Sequence, residues 1–449
     1  MVDLPLVSII LTSYNQGQYI KQCIESILEQ SYTNFELIIS DDCSTDNSLE
    51  IINSFRDERI HLNVSENNKG TTMLNLESCI HMGNGKYIAV AHSDDLWDKH
   101  KLEKQLFLLE NRPEFGAVFT LAERIDTDNI IIENDNSLFV DFNGTQAEWL
   151  NCFFYKYNIL CHPSVMIHRD IYQSIMKKFT GAVSYRQLGD FLIWIELVKQ
   201  KQIYVLPEKL MRFRIHENSM SSVLSVRNLR CFKNELYFIL KNFFEDIPEN
   251  LFIDGFCGNF IKKGKLTKEE LLCEQAFLYL IESDIHTRFI YYQIGMEKLY
   301  HLLNSEQSRK TLEESYNFTA KDFHALKEDV PPIKDYEYFD YCYERVIGNK
   351  KLENSKSTAI YGSGKYAYEI FNYISNNDKY NSIKIKCFIE NNNNKTGETL
   401  CGLPIVLLEK AMEIFHVDTI IIGSYSYQNV IYDRIMNQAN GNINLIKMF

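Results

Sequence analysis

Tyr87-Ile-Ala-Val-Ala-His-Ser-Asp-Asp-Leu-Trp97 is the stretch from which the fold is read. An apolar run of strand character ends in the adjacent carboxylates Asp94 and Asp95, the place where an α/β sheet presents its binding residues. Neighbouring carboxylates repel and lose hydration when partly buried, so a hydrated divalent cation with a diphosphate gives a physical reason to keep them together. The same pair could instead cap a helix whose body is Lys99 to Leu109, and the stretch alone leaves both readings open.

Outward from this stretch, strand and helix signals alternate. Leu6 to Leu11, Phe35 to Ile39, Ile60 to Val64 and Lys86 to Ala91 read as strands; Gln18 to Glu29, Ser44 to Phe55 and Thr71 to His81 read as helices. This rhythm predicts an α/β fold with a mixed, mainly parallel sheet and right-handed crossovers. Ligand groups should then gather behind the strands, at Thr12 to Asn15, Asp41 to Ser44 and His92 to Asp95. Asp126 to Asn136 suits a hairpin or loop, and Gly189 to Val198 a helix. From about Cys231 to Gly348 the period is helical, as in Asn234 to Phe244, Lys268 to Ile281 and Thr287 to Leu303, with a break at Pro331 and Pro332. At Lys356 the strand-helix rhythm restarts. The strand Ser357 to Tyr361 leads into Gly362-Ser-Gly-Lys-Tyr-Ala367 and a helix to Ile374; a strand at Ile383 to Ile389, a turn at Asn391 to Asn394 and a strand at Thr419 to Ile422 follow. Three parts result: a first domain over 1–230, a helical segment over 231–350 and a second nucleotide-fold-like domain over 351–449.

With 60 acidic against 47 basic residues the formal charge is -13, and no basic tract follows a phosphate backbone, which argues against a nucleic-acid partner. Eleven cysteines without a Cys-x-x-Cys pair read as reduced thiols of a cytosolic protein, mostly small core residues. The N-terminus reads as a first strand, not a signal peptide, and no apolar run is long enough to span a bilayer. Peripheral contact with the inner face of a membrane stays open. The aromatic stretch Trp149 to Tyr157 is either that surface or core.

The ordered set Val7-Ser-Ile-Ile-Leu-Thr-Ser-Tyr-Asn15, Ile38-Ile-Ser-Asp-Asp-Cys-Ser-Thr-Asp46, Asn68-Lys-Gly70, Gly85-Lys-Tyr-Ile88, Ser93-Asp-Asp-Leu-Trp97, Gly189-Asp-Phe-Leu-Ile-Trp194 and Met211-Arg-Phe-Arg-Ile-His216 resembles the inverting family 2 glycosyltransferases. The resemblance covers Pro5 to Ser222 and implies a GT-A type nucleotide-sugar fold over 1–230. It implies a metal-dependent inverting transfer of a hexosyl or N-acetylhexosaminyl group from a nucleotide sugar, UDP-linked by preference. The acceptor would be a hydroxyl of a surface-glycan or lipid-linked saccharide. Thr12, Tyr14, Asn15, Asp41, Asp42, Lys69, Ser93 and Asp94 are then expected at the nucleotide, with Asp41 or Asp42 accepting from the uracil ring. Asp94, Asp95 and His216 are expected to hold Mn²⁺ or Mg²⁺.

Two departures stand out. His92 replaces the carboxylate that relatives carry two residues before Asp94, and Gly189 replaces the Glu before Asp190. His92, His162, Arg214 and Trp194 are expected on the phosphate or acceptor side, with Arg212, Arg214 and His216 on one side of an extended strand. Asp190 is the expected catalytic base, a weak one at an ordinary pKa of about 4. A non-catalytic nucleotide-sugar-binding or scaffold protein is the alternative that the departures suggest.

Gly362-x-Gly364-x-x-Ala367 follows a strand and opens a helix, with Glu390 ending the next strand, the context for phosphate on a helix N-terminus and ribose on an acid. With Thr396 to Ile405 it resembles the small Rossmann-like domain of nucleotide-sugar dehydratases. Its role stays open between nucleotide or sugar-nucleotide sensing at Gly362, Gly364 and Glu390 and simple packing or homo-oligomer formation.

Overall fold

A computed structural model describes residues 4–132, 141–178, 184–216, 226–281, 287–329, 352, 355–375, 382–390, 395–423, 431–432, 434–436 and 443–447. The expected break at Pro331 and Pro332 and the turn at Asn391 to Asn394 lie outside them. The chain divides into two compact units, Met1–Asp329 and Val330–Phe449.

The first unit is built on β1 (Val7–Ser13), β2 (Phe35–Asp41), β3 (Ile60–Val64), β4 (Tyr87–His92), β5 (Leu96–Trp97), β6 (Phe115–Ile125), β7 (Met166–His168) and β8 (Gln202–Arg214), in sheet order β3-β2-β1-β4-β7-β6-β8-β5. Pairing is parallel from β3 through β4 and between β6 and β8. It is antiparallel where β7 joins β4 to β6 and where β5 meets β8. The result is a GT-A-like mixed sheet. The middles of β1, β2 and β4 are short continuous apolar runs, residues 9–11, 37–39 and 87–91, because both their faces are covered. Alternate residues supply two cores: Ile10, Ile38, Ile88 and Val90 one, and Val7, Ile9, Leu11, Leu37, Ile39, Tyr87 and Ala89 the other. On the second face α1 (Ile20–Leu28) buries Ile20, Cys23, Ile24 and Ile27, a spacing that gives one helical stripe.

On the first face lie α3 (Thr72–Met82), after the short α2 (Ser48–Ser54), and, beyond α4 (Lys101–Asn111), α5 (Gln146–Lys156), α6 (Arg169–Lys178) and α7 (Gly189–Gln200). The helices that follow, α8 (Val226–Lys241), α9 (Glu249–Phe256), α10 (Lys268–Leu278) and α11 (Arg288–Asn304), add their apolar residues to the same core. Phe154 of α5 is fully buried, ringed by Phe243, Phe244, Phe256, Tyr279 and Tyr291 at centroid distances of 5.0–5.5 Å. A Cβ on Gly255 would come within 2.7 Å of the Ala147 carbonyl, so glycine sets how closely α9 approaches α5. Trp149, Phe153 and Phe154 are thus core, which removes Trp149 to Tyr157 as a membrane surface. α12 (Glu306–Tyr316) and α13 (Ala320–Asp329) close the unit. Among the described residues no helix is long and apolar enough to cross a membrane.

Two local expectations shift. α2 begins at Ser48 because side chains take the preceding amides: Asp41 Oδ1 accepts from Ser44 N at 2.8 Å and Asp46 Oδ1 from Ser48 N at 2.9 Å. No helix starts after Asp95, since Leu96 and Trp97 pair with Arg212 and Met211; Asp98 Oδ1 accepts from His100 N at 2.9 Å in the turn ahead of α4, which has no side-chain cap.

The second unit is a separate α/β sheet of β9 (Thr358–Tyr361), β10 (Ile385–Ile389), β11 (Thr399–Leu400), β12 (Leu403–Val406), β13 (Thr419–Ile422) and β14 (Asn444–Lys447), ordered β11-β12-β10-β9-β13-β14. Every pairing is parallel except the β11–β12 hairpin. Gly362 leaves β9 at φ 109°, a conformation that favours glycine, and helix Lys365–Ser375 follows. The described cysteines of both units are free thiols.

Candidate active site

β1, β2 and β4 end level with one another: Thr12 pairs with Ser40 on one side and with His92 on the other. Just beyond this row Asn15 and Cys43 adopt φ of 51° and 64°, a left-handed backbone that costs a non-glycine residue about 1 kcal/mol and concentrates at functional loops. Side chains hold it in place. Asn15 N donates to Ser44 Oγ at 2.9 Å, Asn15 Oδ1 accepts from Thr45 N at 2.8 Å, and Ser44 Oγ donates to Asp41 Oδ2 at 2.7 Å. Asp42 Oδ1 accepts from Lys69 N at 2.9 Å and draws the Asn68–Gly70 turn to the end of β2. Asp41 and Asp42 are therefore buried braces of the loops in which a nucleotide was expected. Tyr14 is 46% exposed, an aromatic face open above them. Lys69 is exposed, with Nζ 3.3 Å from Ser78 Oγ, and Ser93 is buried.

The turn after β4 is closed by Asp95 N donating to His92 O at 3.2 Å. It folds both carboxylates beside the imidazole, so that one ligand atom from each of His92, Asp94 and Asp95 lies within 4.8 Å of the others. Asp95 is buried; its Oδ1 accepts from Arg214 N at 2.9 Å, while Asp95 Oδ2 and His92 Nε2 are buried without a hydrogen-bond partner. Burial, then the charge of Asp94, pushes the Asp95 carboxyl well above its ordinary range. Burial acts on Asp94 in the same sense, but the hydrogen bond with His216 Nε2, at 3.0 Å, and the charge of His92 outweigh it, leaving Asp94 below. Burial and the neighbouring His162 hold His92 down to about 4.

Arg214 is 1% exposed and fully engaged. Nε donates to Asp94 O, Nη1 to Asp126 O and Nη2 to Asn129 Oδ1, each at 2.7 Å, and the guanidinium lies 4.6 Å over the Tyr19 ring. These contacts make it a clamp on the turn that carries Asp94 and Asp95, in place of the phosphate or acceptor contact expected from the sequence. Arg212 is exposed, 3.7 Å from Glu123, so Arg212, Arg214 and His216 form no common basic face.

Asp190 lies in the first turn of α7, partly buried. Its Oδ2 accepts from Asn158 Nδ2 at 2.9 Å and its Oδ1 from Phe191 N at 2.8 Å. Burial pushes the carboxyl up to about 6, against the lowering pull of Phe191 N, Asn158 and the charge of His92. The ordinary value expected from the sequence is thereby corrected, and towards a better base at neutral pH. The rings of His92 and His162 meet edge to face at 5.2 Å, and His162 lies 5.8 Å from Trp194. Trp194 is fully buried against Phe119 at 4.9 Å, a wall behind the histidines that offers no surface to an acceptor. Burial holds His162 down to about 4. Sequence reasoning passed over Asn158; its signal was a lone amide in the otherwise apolar run before Cys161-His162.

In the second unit Glu390 Oε1 accepts from Ser363 N at 2.8 Å and from Ser363 Oγ at 2.6 Å. A Cβ on Gly362 would lie 3.4 Å from the carbonyl oxygen of Gly423, and one on Gly364 would meet open space.

Comparison with known proteins supplies the lineage. The profile described as Glycosyl transferase family 2 matches residues 8–176, and one described as C2185-like, N-terminal, matches residues 354–443. TuaG of Bacillus subtilis, a glycosyltransferase assigned to teichuronic acid biosynthesis, is 34% identical over 49% of this chain and 82% of its own length. WfgD of Escherichia coli, named UDP-Glc:alpha-D-GlcNAc-diphosphoundecaprenol beta-1,3-glucosyltransferase, is 30% identical over 48% of this chain and 80% of its own. A crystal structure of S. aureus TarS 1-349 with UDP-GlcNAc superposes at a TM-score of 0.44 and 17% identity, covering 69% of this chain and 91% of that one. With a family profile on the strand-end loops and relatives aligned over four-fifths of their length, the chain belongs to glycosyl transferase family 2 and is a glycosyltransferase.

Proposed function

We propose that the protein transfers a hexosyl or N-acetylhexosaminyl group from a UDP-linked donor to a hydroxyl of a lipid-linked or surface-glycan saccharide, with inversion at the anomeric carbon and a divalent cation. The names of WfgD and WfaP of Escherichia coli, both UDP-Glc:alpha-D-GlcNAc-diphosphoundecaprenol glucosyltransferases, support this donor and acceptor class. Such chemistry belongs at the cytoplasmic face of a membrane.

The observation that carries the reading is Asp190: a half-buried carboxyl raised to about 6, oriented by Asn158, and close enough to His92 for the two charges to act on each other. In this reading an acceptor hydroxyl attacks the anomeric carbon from the face opposite the diphosphate, and Asp190 takes its proton. Carbon–oxygen bond formation and departure of the nucleoside diphosphate occur in one displacement, so no covalent sugar intermediate arises. Thr12, Tyr14, Asn15, Asp41, Asp42, Lys69 and Ser93 shape the nucleotide pocket, the two acids by bracing its loops and Tyr14 by its open ring face. The donor set of His92, Asp94 and Asp95 fits Mn²⁺ or Mg²⁺, since two of its buried ligand atoms lack any partner. His216 holds Asp94 in place or joins the set. A bound cation would supply positive charge to the departing diphosphate.

The catalytic domain in this proposal spans 1–230, the helical segment 231–350 and the last domain 351–449. The order β12-β10-β9-β13-β14 supports reading the last as a doubly wound, Rossmann-like sheet. Because Glu390 already binds Ser363, self-association is the favoured role there, over nucleotide binding at Gly362, Gly364 and Glu390.

Transfer assays with UDP-, GDP- and dTDP-sugars, each with Mn²⁺, Mg²⁺ or a chelator, test the reading. UDP-sugar turnover that collapses on chelation and in Asp190→Asn is expected, with an inverted anomeric configuration by NMR. Full activity in Asp190→Asn would remove the base.

A further inference from the structure

α7 carries Asp190 yet has no cap of its own, since the residue at its N-cap is Leu188, whose side chain accepts nothing. The loop leading into α7 is held instead by another helix. Glu235 of α8 is 8% exposed, and its carboxylate accepts three successive amides: Arg186 N on Oε1 at 2.6 Å, and Gln187 N and Leu188 N on Oε2, both at 2.9 Å. Cys231 Sγ, one helical turn earlier, donates to Oε1 at 3.2 Å. The same loop is tied to α3 by Thr71 Oγ1 donating to Tyr185 O at 3.3 Å.

We propose that Glu235 is a positioning residue for glycosyl transfer, fixing the start of α7 and hence the placement of Asp190 against the acceptor. The inference rests on the reading of Asp190 as the base. A carboxylate at a helix N-terminus is favourable both as acceptor and as charge. Its removal leaves three amides at 186–188 without their acceptor, two residues ahead of Asp190. Displacement of a base by about 1 Å costs on the order of 100-fold in rate. The donor loops behind β1, β2 and β4 make none of these bonds, so the loss should fall on turnover and spare the donor. It also makes a helix beyond the residues matched by the transferase profile part of the catalytic apparatus.

The test uses the full chain as Glu235→Ala, Glu235→Gln and each combined with Asp190→Asn. Expected for Glu235→Ala are a kcat lower by about 10- to 100-fold, a donor KM within about twofold, and faster amide hydrogen exchange at 186–188. Glu235→Gln, which keeps one acceptor oxygen, should lose less, and serves if the alanine variant fails to fold. Adding either change to Asp190→Asn should cost nothing further, because both act through one group. An unchanged kcat with faster exchange at 186–188 would overturn the proposal, as would losses that multiply with Asp190→Asn or a donor KM rising in step. If Asp190→Asn is itself fully active, the base reading fails on its own evidence and the proposal falls with it; if that variant is dead and Glu235→Ala normal, only the proposal fails.

Discussion

The strand ends of the two units use the same device and leave it in opposite states. Behind β4, Asp95 Oδ2 and His92 Nε2 are buried with no partner, and burial pushes Asp95 far from its ordinary titration. Behind β9, the acid that should await a ribose is already bound, with Glu390 on Ser363 N and Oγ. An orphaned buried polar atom costs about 1–3 kcal/mol, so a fold retains one where something else satisfies it. A turn that satisfies itself can be retained for shape alone. Orphaned atoms therefore separate the two loops where glycines and acids, present in both, do not.

The comparison can be broken first at Asp190, the proposed base. Asp190→Asn should lower kcat by about 10²- to 10⁴-fold with little change in donor affinity; a loss confined to KM would move Asp190 into donor binding. Next, His216→Ala removes the hydrogen bond to Asp94, and the Mn²⁺ concentration for half-maximal activity should rise by about 10- to 100-fold. No rise would detach His216 from the ion. The pH profile sharpens the picture further. Asp190 must be ionised to accept a proton, so log kcat/KM should fall below a pKa near 6 and level off above it. The Asn158 hydrogen bond lowers that pKa, so Asn158→Ala should move the acid limb to higher pH; a shift the other way would contradict the assigned contact. Smallest of all, Glu390→Gln should leave transfer within about twofold and cost stability about 1 kcal/mol, read by denaturant unfolding. A large loss of turnover there would make the second unit a participant.

Much of the first sheet was legible because its code is local. β3 occupies the residues read from the sequence, and β1, β2 and β4 differ from that reading by a residue or two at their ends, since short apolar runs between turn residues depend on near neighbours. α2 was overextended because the amides of Ser44 and Ser48 are taken by Asp41 and Asp46, a competition that periodicity does not register. At the site, the Asp94–Asp95 pair and Asp190 could be singled out by position, but not what surrounds them. Arg214 meets the Asp94 carbonyl, and His216 its carboxylate, across some 120 residues. Asn158 reaches Asp190 across 32. Alternation suggested a basic row from Arg212 to His216, and burial under Tyr19 and the Asp126 turn made Arg214 a clamp instead. The raised pKa of Asp190 was equally out of reach, because desolvation depends on which helices cover a residue.

The ring cluster around Phe154 bears on how this enzyme can be cut. Of its five surrounding rings, Phe243 and Phe244 follow the end of α8, Phe256 closes α9, Tyr279 follows α10 and Tyr291 belongs to α11, all beyond residue 230. A fragment ending near residue 230, where the transferase motifs stop, would carry all of those motifs and still open its largest core to water. Insolubility is the expected fate of such a fragment, whereas one ending after Asp329 keeps every described helix that adds to this core.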